Sequence, residues 1–154
     1  MDSIKEQILG HLSTSIAGIL KTSGYENAIR SVQRVMGTGQ TTEQLPVVLM
    51  EEGNESVKDE PLGFFTKHLV VSLDVLSALP YHPGRYSAAA AANSLEADLE
   101  KAIFADRTRG GKAIDTFYDG REAIREMEGE GAFSFRMNLR VHYRHQPGNP
   151  YSLS

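Results

Sequence analysis

The side chains that could carry chemistry are few and scattered along the chain. Cysteine is absent from the sequence, which excludes thiol catalysis and metal centres held by cysteine. The five histidines do not form the HExxH zinc pattern. His142 and His145 lie three residues apart on a predicted strand, so we expect them on opposite faces, where they cannot bind one ion together. We predict surface or interface histidines, no bound metal and no cofactor.

Glycine-rich loops do not indicate a nucleotide site either. Gly111-Lys112 resembles the end of a P-loop, but Asp106 replaces its first glycine and Ala113 replaces its magnesium-binding Ser or Thr. Two Gly-x-Gly pairs elsewhere lack the third glycine of a dinucleotide fingerprint. We interpret all of these segments as turns.

Acid–base catalysis is the remaining chemistry to consider. Glu126, Glu128 and Glu130 stand at two-residue spacing and could pair as a general acid and a general base. At the rim of a predicted hairpin such glutamates are typical of solvated surface, and the sequence has no G-x-S-x-G nucleophile elbow. We therefore predict that the protein is not an enzyme.

The last predicted strand, residues 133–144, carries a basic outer face. Its apolar residues alternate strictly with polar ones, and the polar set includes Arg136, Arg140, Arg144 and His142, with no acid among them. Two interpretations stay open: acids on a neighbouring strand balance these charges, or the face contacts another subunit or a phosphate backbone. The candidate balancing acids are Glu122, Glu126 and Glu128.

An acidic segment offers a complement to that face. Residues 51–61 read EEGNESVKDEP, in which Lys58 is the one basic residue. Charge repulsion and turn-forming residues predict a solvated, mobile loop. Its candidate contact residues are Glu51, Glu52, Glu55, Asp59 and Glu60. A chain with an acidic loop and a basic face could associate head to tail, and such a contact closes into a ring or grows into a filament.

Length and composition limit the class of protein. With 154 residues, 40% of them hydrophobic, the chain is long enough to bury a core as one domain without a disulfide or metal. Its net charge of −4 argues against binding nucleic acid through bulk charge. No apolar run approaches the roughly 18 residues of a membrane-spanning helix, so we predict no membrane contact.

Hydrophobic periodicity predicts the order helix, two or three strands, helix, two or three strands. The first helix begins with a capping box formed by Ser3 and Glu6. The predicted helices are residues 3–20 and 87–106. The predicted strands are residues 28–36, 45–50, 64–76, 113–118 and 133–144. Residues 121–128 are predicted to form either a short helix or an edge strand. This order predicts a single α+β domain over residues 1–154, with a mainly antiparallel β-sheet and the two principal helices packed against one face. Residues 146–154, which contain prolines and a glycine, are expected to form an extended C-terminal tail.

The whole pattern resembles the tail terminator proteins of long-tailed phages, the group that includes the lambda tail terminator. The resemblance is carried by the segments SVQRVM, LPVVLM, FFTKHLVVSLDVL, LEADLEKAIFAD and VHYRHQPGNP in this order. Family members often have an acid followed by small and aliphatic residues in the second helix, here Glu100, Ala102 and Ile103. They often have an aliphatic residue before the double glycine, where this chain has Arg109.

The resemblance implies a structural virion protein that acts in the tail or neck and assembles in the host cytoplasm. Its copies would form a homo-hexameric ring on the finished tail tube, contacting the tail tube protein and stopping polymerisation. The ring would present a surface for head-completion or connector proteins, and genomic DNA would pass through its centre without sequence-specific contact. The segment 51–60 would then face the lumen, where like charge opposes DNA binding.

Other classes of function stay open beside this one. Another neck or head–tail connector component shares small α+β folds and ring symmetry. A small non-catalytic ligand-binding α+β domain would act as a monomer or dimer. A nucleic-acid binder that uses Arg136–Arg144 would show a steep salt dependence.

Overall fold

The first helix forms where the capping pattern predicts it. Helix α1 spans Ile4–Ala17, and the Ser3 hydroxyl accepts a hydrogen bond from the Glu6 amide at 3.2 Å. The Glu6 carboxylate turns away from the cap and pairs with Arg34 at 2.7 Å. The stripe predicted from the sequence is buried and faces the sheet; it consists of Ile4, Ile8, Leu12 and Ile16.

The architecture is that of an α+β domain, as the sequence predicts. The computed structural model describes residues 1–34, 45–60, 63–79, 88–127 and 131–153. After α1 come β1 (Ser31–Arg34), β2 (Val47–Asp59), β3 (Phe65–Ala78), α2 (Ala88–Ile103), β4 (Asp115–Arg121), β5 (Arg125–Met127) and β6 (Ala132–His145). The segment left open between a helix and an edge strand therefore contains a short edge strand, β5. Glu128 and Glu130 lie outside the described residues.

The strands form one mixed sheet in the order β1-β2-β3-β6-β4, with β5 also paired to β6. β1 runs parallel to β2, and the other pairs are antiparallel. The longest ladder joins β3 to β6, from Phe65 opposite His145 to Ala78 opposite Ala132. Since side chains alternate between faces along each strand, this register fixes which residues of the two strands share a face.

Both helices pack on one face of the sheet. The apolar residues of β6 face them, as the alternation predicts, and the largest of these side chains are Phe133, Phe135, Met137, Leu139 and Tyr143. The alanine-rich helix α2 contributes Ala92 and Leu99 to the same core. Burial of this face is the main stabilising contribution to the fold.

The prediction of a solvated loop at 51–61 is wrong. Residues Glu51–Asp59 are the second part of strand β2 and pair with β3. Repulsion does not open this strand, because its carboxylates have partners from other elements: Glu52 pairs with Arg34, and Glu55 with Lys5 at 3.2 Å. Glu60 lies in the turn that follows, and residue 61 is outside the described residues.

The C-terminal tail is also not extended as predicted. Gln146 and Asn149 form a bridge across a tight turn, and the Pro150 carbonyl accepts a hydrogen bond from the Ile4 amide at 2.8 Å. The tail therefore supplies an acceptor to the first turn of α1, where helix amides have no partner within the helix. In the described part of the chain, neither helix is long and apolar enough to cross a membrane.

Candidate interaction surface

The face of the sheet opposite the helices carries the residues predicted as an interface. We call it the open face, because both helices of the described chain pack on the other side. The polar set of β6 lies there, as alternation requires, and includes Arg136, Arg140, His142 and Arg144. The structure thus places all four predicted interface residues along one strand in the middle of the sheet.

Arg136 is held by acids from three other parts of the sheet. Asp74 stands directly opposite on β3 and accepts two hydrogen bonds from the guanidinium, at 2.7 and 2.9 Å. Glu51 on β2 lies 3.3 Å away and Glu122, after β4, lies 3.9 Å away. The hydrogen bond with Asp74 raises the pKa of Arg136 further above its ordinary value. Of the balancing acids proposed from the sequence, Glu122 has this role, whereas Glu126 is exposed and does not pair with Arg136.

The other two arginines differ in how far they are neutralised. Arg140 pairs with Asp119 at 2.6 Å, and its guanidinium lies 5.1 Å from the centre of the Phe117 ring. Arg144 is exposed and lies 5.0 Å from the ring of Phe64, without an acid in its reach among the described residues. The face therefore contains a mixed-charge network in which Arg136 and Arg140 are balanced by acids, and this favours the first of the two interpretations for these two residues. That the face contacts a partner stays a prediction.

Two histidines form a stacked pair in the same row of the open face. His68 stands opposite His142, with ring centres 3.7 Å apart and planes 10° from parallel. Phe117 lies 4.6 Å from the His142 ring on the other side. Burial, and after it the neighbouring His68 and Arg140, lower the pKa of His142 below 6.5, and Asp115 and Asp119 oppose this more weakly.

The lowered pKa of His142 predicts that stability depends on pH. The folded chain binds a proton at His142 less readily than the unfolded chain, so the free energy of unfolding should fall as the pH drops through about 6.5. A His142→Asn chain should lose less stability over the same range. Urea unfolding at several pH values between about 5.5 and 7.5 measures both slopes. Equal slopes for the two chains would contradict the assignment to His142.

The acidic candidates do not form one cluster. Glu51 lies on the open face beside Arg136, whereas Glu52 and Glu55 lie on the face of the helices. Glu55 also accepts a hydrogen bond from the Tyr143 hydroxyl at 2.7 Å, and burial, followed by this bond, raises the pKa of Tyr143. The last two, Asp59 and Glu60, stand at the end of β2 and in the turn after it, where Glu60 lies 3.9 Å from Lys58.

Sequence reasoning missed the partners on neighbouring strands. Asp74 and His68 sit on the polar side of the predicted strand 64–76, so their face was readable from the alternation. Their pairing with Arg136 and His142 depends on the register between β3 and β6, which no local pattern specifies. The sequence therefore indicated that these residues share a face with others on their own strand. It did not indicate the offset between β3 and β6, which decides the cross-strand partners.

Comparison with known proteins finds likeness at the level of solved structures. No protein-family model and no curated protein sequence matches this chain. Among solved structures, a chain described as "Virion of native gene transfer agent (GTA) particle" is similar over 92% of this chain and 92% of that chain. The TM-score is 0.46 and the sequence identity is 13%, so the likeness carries no conclusion about function.

Proposed function

We propose that this protein is a structural virion component, a phage tail terminator whose copies form a ring, hexameric by the resemblance described above, on the end of the tail tube. The observation that carries the proposal is the open face, a sheet surface whose charges are arranged in cross-strand networks centred on Arg136 and Asp74. Surfaces of this kind, with paired charges around partly exposed apolar side chains, suit contacts with other proteins.

The mechanism is geometric. One side of the ring matches the last ring of the tail tube protein, and the other side does not offer the surface to which further tube subunits add. Head-completion or connector proteins then bind this second side. Genomic DNA passes through the hole without sequence-specific contact, and the net charge of −4 opposes adhesion of its phosphates.

A mass measurement tests the proposal. Light scattering at rising protein concentration, with negative-stain images of the same samples, should show closed rings with an open centre and the mass of a hexamer. Rings that close only on their template should appear when tail tubes are added. Added to growing tubes, the protein should stop their elongation, and tube protein alone serves as the control. A particle that stays monomeric with and without tubes, and leaves elongation unchanged, would contradict the proposal.

The nearest alternative is another neck or head–tail connector component. It predicts rings that bind the portal side of the neck and leave tube elongation unchanged. The elongation assay therefore separates the two members of this structural class.

A further inference from the structure

Three rings form a continuous row across neighbouring strands of the open face. His68 on β3 stands directly opposite His142 on β6, with ring centres 3.7 Å apart and planes 10° from parallel. The ring of Phe117 on β4 lies 4.6 Å from the His142 ring. All three side chains are half-buried. The row therefore joins β3, β6 and β4 through side chains on one face of the sheet.

The row holds His142 in a place that suits a neutral imidazole. Its Nε2 atom is buried and has no hydrogen-bond partner among the described residues. An imidazolium carries a hydrogen on both ring nitrogens, so protonation would leave a buried N–H without an acceptor. Such a donor costs free energy unless the side chain moves to reach water or an acceptor. The charged form of His142 therefore favours a position outside the row.

The acids nearest to the histidines are already held by arginines. Asp115 stands opposite His142 on β4, but its carboxylate accepts two hydrogen bonds from Arg107, at 2.6 and 3.2 Å. Asp119 pairs with Arg140 at 2.6 Å. Each carboxylate would have to give up contacts with its arginine in order to bind a protonated imidazole. These two acids therefore offset only part of the charge that a proton would add.

Cations from two strands lie near the same row. On β6, Arg140 and Arg144 lie two residues before and after the histidine, on the same face. On β2, the nearest residues of this face are the uncharged Ser56 and then Lys58, which Glu60 approaches to 3.9 Å. A proton on either imidazole therefore adds positive charge beside other positive charges.

We propose that His68 and His142 form a pH-sensitive element of the open face, in which acid conditions place charge on the pair, break the row of rings and release Phe117. Two unit charges at this separation repel strongly, so the two protons bind in coupled steps that belong to the pair. The second proton should bind at least about ten times more weakly than the first. This element goes beyond the proposed function, because it belongs to the single chain and operates whether or not copies form a ring.

NMR spectroscopy of the full chain between about pH 7.5 and 5 tests the element. Nuclear Overhauser contacts between the rings of His142 and Phe117 report the row, and the ring protons of the histidines report proton binding. The contacts should be present at the high-pH end and disappear as the pair titrates, while far-ultraviolet circular dichroism stays unchanged. Contacts that persist after His142 is protonated would overturn the proposal. Unfolding of the whole chain together with loss of the row would also overturn it, because the element is local.

A variant of the partner histidine tests the coupling. Burial, and after it the neighbouring His68, lower the pKa of His142. His68→Asn should therefore move the titration of His142 to higher pH and leave a single step. His11→Asn is the matched control, because His11 lies on α1 beside Asp106, at 3.5 Å, and should leave that titration unchanged. A titration of His142 that is the same in all three chains would contradict the coupling.

Discussion

Replacing Arg109 by alanine is expected to lower the free energy of unfolding by about 3 to 4 kcal/mol. The side chain is fully buried, and its guanidinium donates to the carbonyls of Ile103 and Asp106 at the end of α2. Burial lowers the pKa of Arg109 below its ordinary value, and Asp106 opposes this. The substitution removes a large buried side chain and leaves both carbonyls without this donor. Urea unfolding followed by circular dichroism measures the loss.

Two variants separate the contributions of volume and hydrogen bonding. Arg109→Met keeps most of the buried volume and should lose about half as much stability as alanine. Arg107→Ala, at an exposed neighbour that pairs with Asp115, should change stability by less than about 1 kcal/mol. A loss for Arg109→Ala no larger than that for Arg107→Ala would contradict a structural role of the buried guanidinium. Members of the family that this chain resembles often have an aliphatic residue at this position. The Arg109 side chain is as fully buried as an aliphatic side chain would be.

Replacing Asp98 by alanine is expected to lower the free energy of unfolding by about 2 to 3 kcal/mol. This buried carboxylate lies on the inner side of α2 and accepts hydrogen bonds from the backbone amide and side-chain amide of Asn27, both at 2.8 Å. It also accepts from the Glu26 amide at 3.4 Å. Without it, these donors lose their acceptor in a partly buried contact between residues 26–27 and α2. Thermal and urea unfolding measure the effect.

Milder substitutions at the same contact provide the controls. Asp98→Asn keeps the shape but loses one acceptor and the charge, so its cost should lie between zero and that of alanine. Ser94→Ala removes one hydrogen bond from the Asn27 side chain and should cost about 1 kcal/mol or less. If Asp98→Ala proved as mild as Ser94→Ala, the carboxylate would not be what anchors residues 26 and 27 to α2.

The helices and the central strands follow from local patterns. Ser3 and Glu6 predict the start of α1, and an amide-to-hydroxyl hydrogen bond is found there. Strict alternation from Phe133 predicts β6, and the apolar residues are buried on one face. These signals work because capping involves residues three apart and alternation reports a single buried face. The α+β class follows from the order of such elements.

The acidic segment shows where local reasoning fails. Residues 51–59 have the composition of a loop, yet they form half of β2. Their charges are balanced by residues that are distant in sequence, namely Lys5 and Arg34 on one face and Arg136 on the other. If only the charges within a segment are considered, repulsion among them overestimates the free-energy cost of forming a strand. The cost is lower here because residues on other elements supply the opposite charges.

By itself the sequence determined the element order, the helix-facing residues of β6 and the shared face of Arg136, Arg140, His142 and Arg144. Only the tertiary structure decided which of these side chains meets which partner: Asp74 for Arg136, His68 for His142 and Asp119 for Arg140. The physical reason is that alternation along a strand is local, whereas the offset between two strands is set by the packing of the whole core. The register shifts in β2 and β4 are, for the same reason, visible only in the folded sheet, where the residues of each strand can be counted against those of its neighbour.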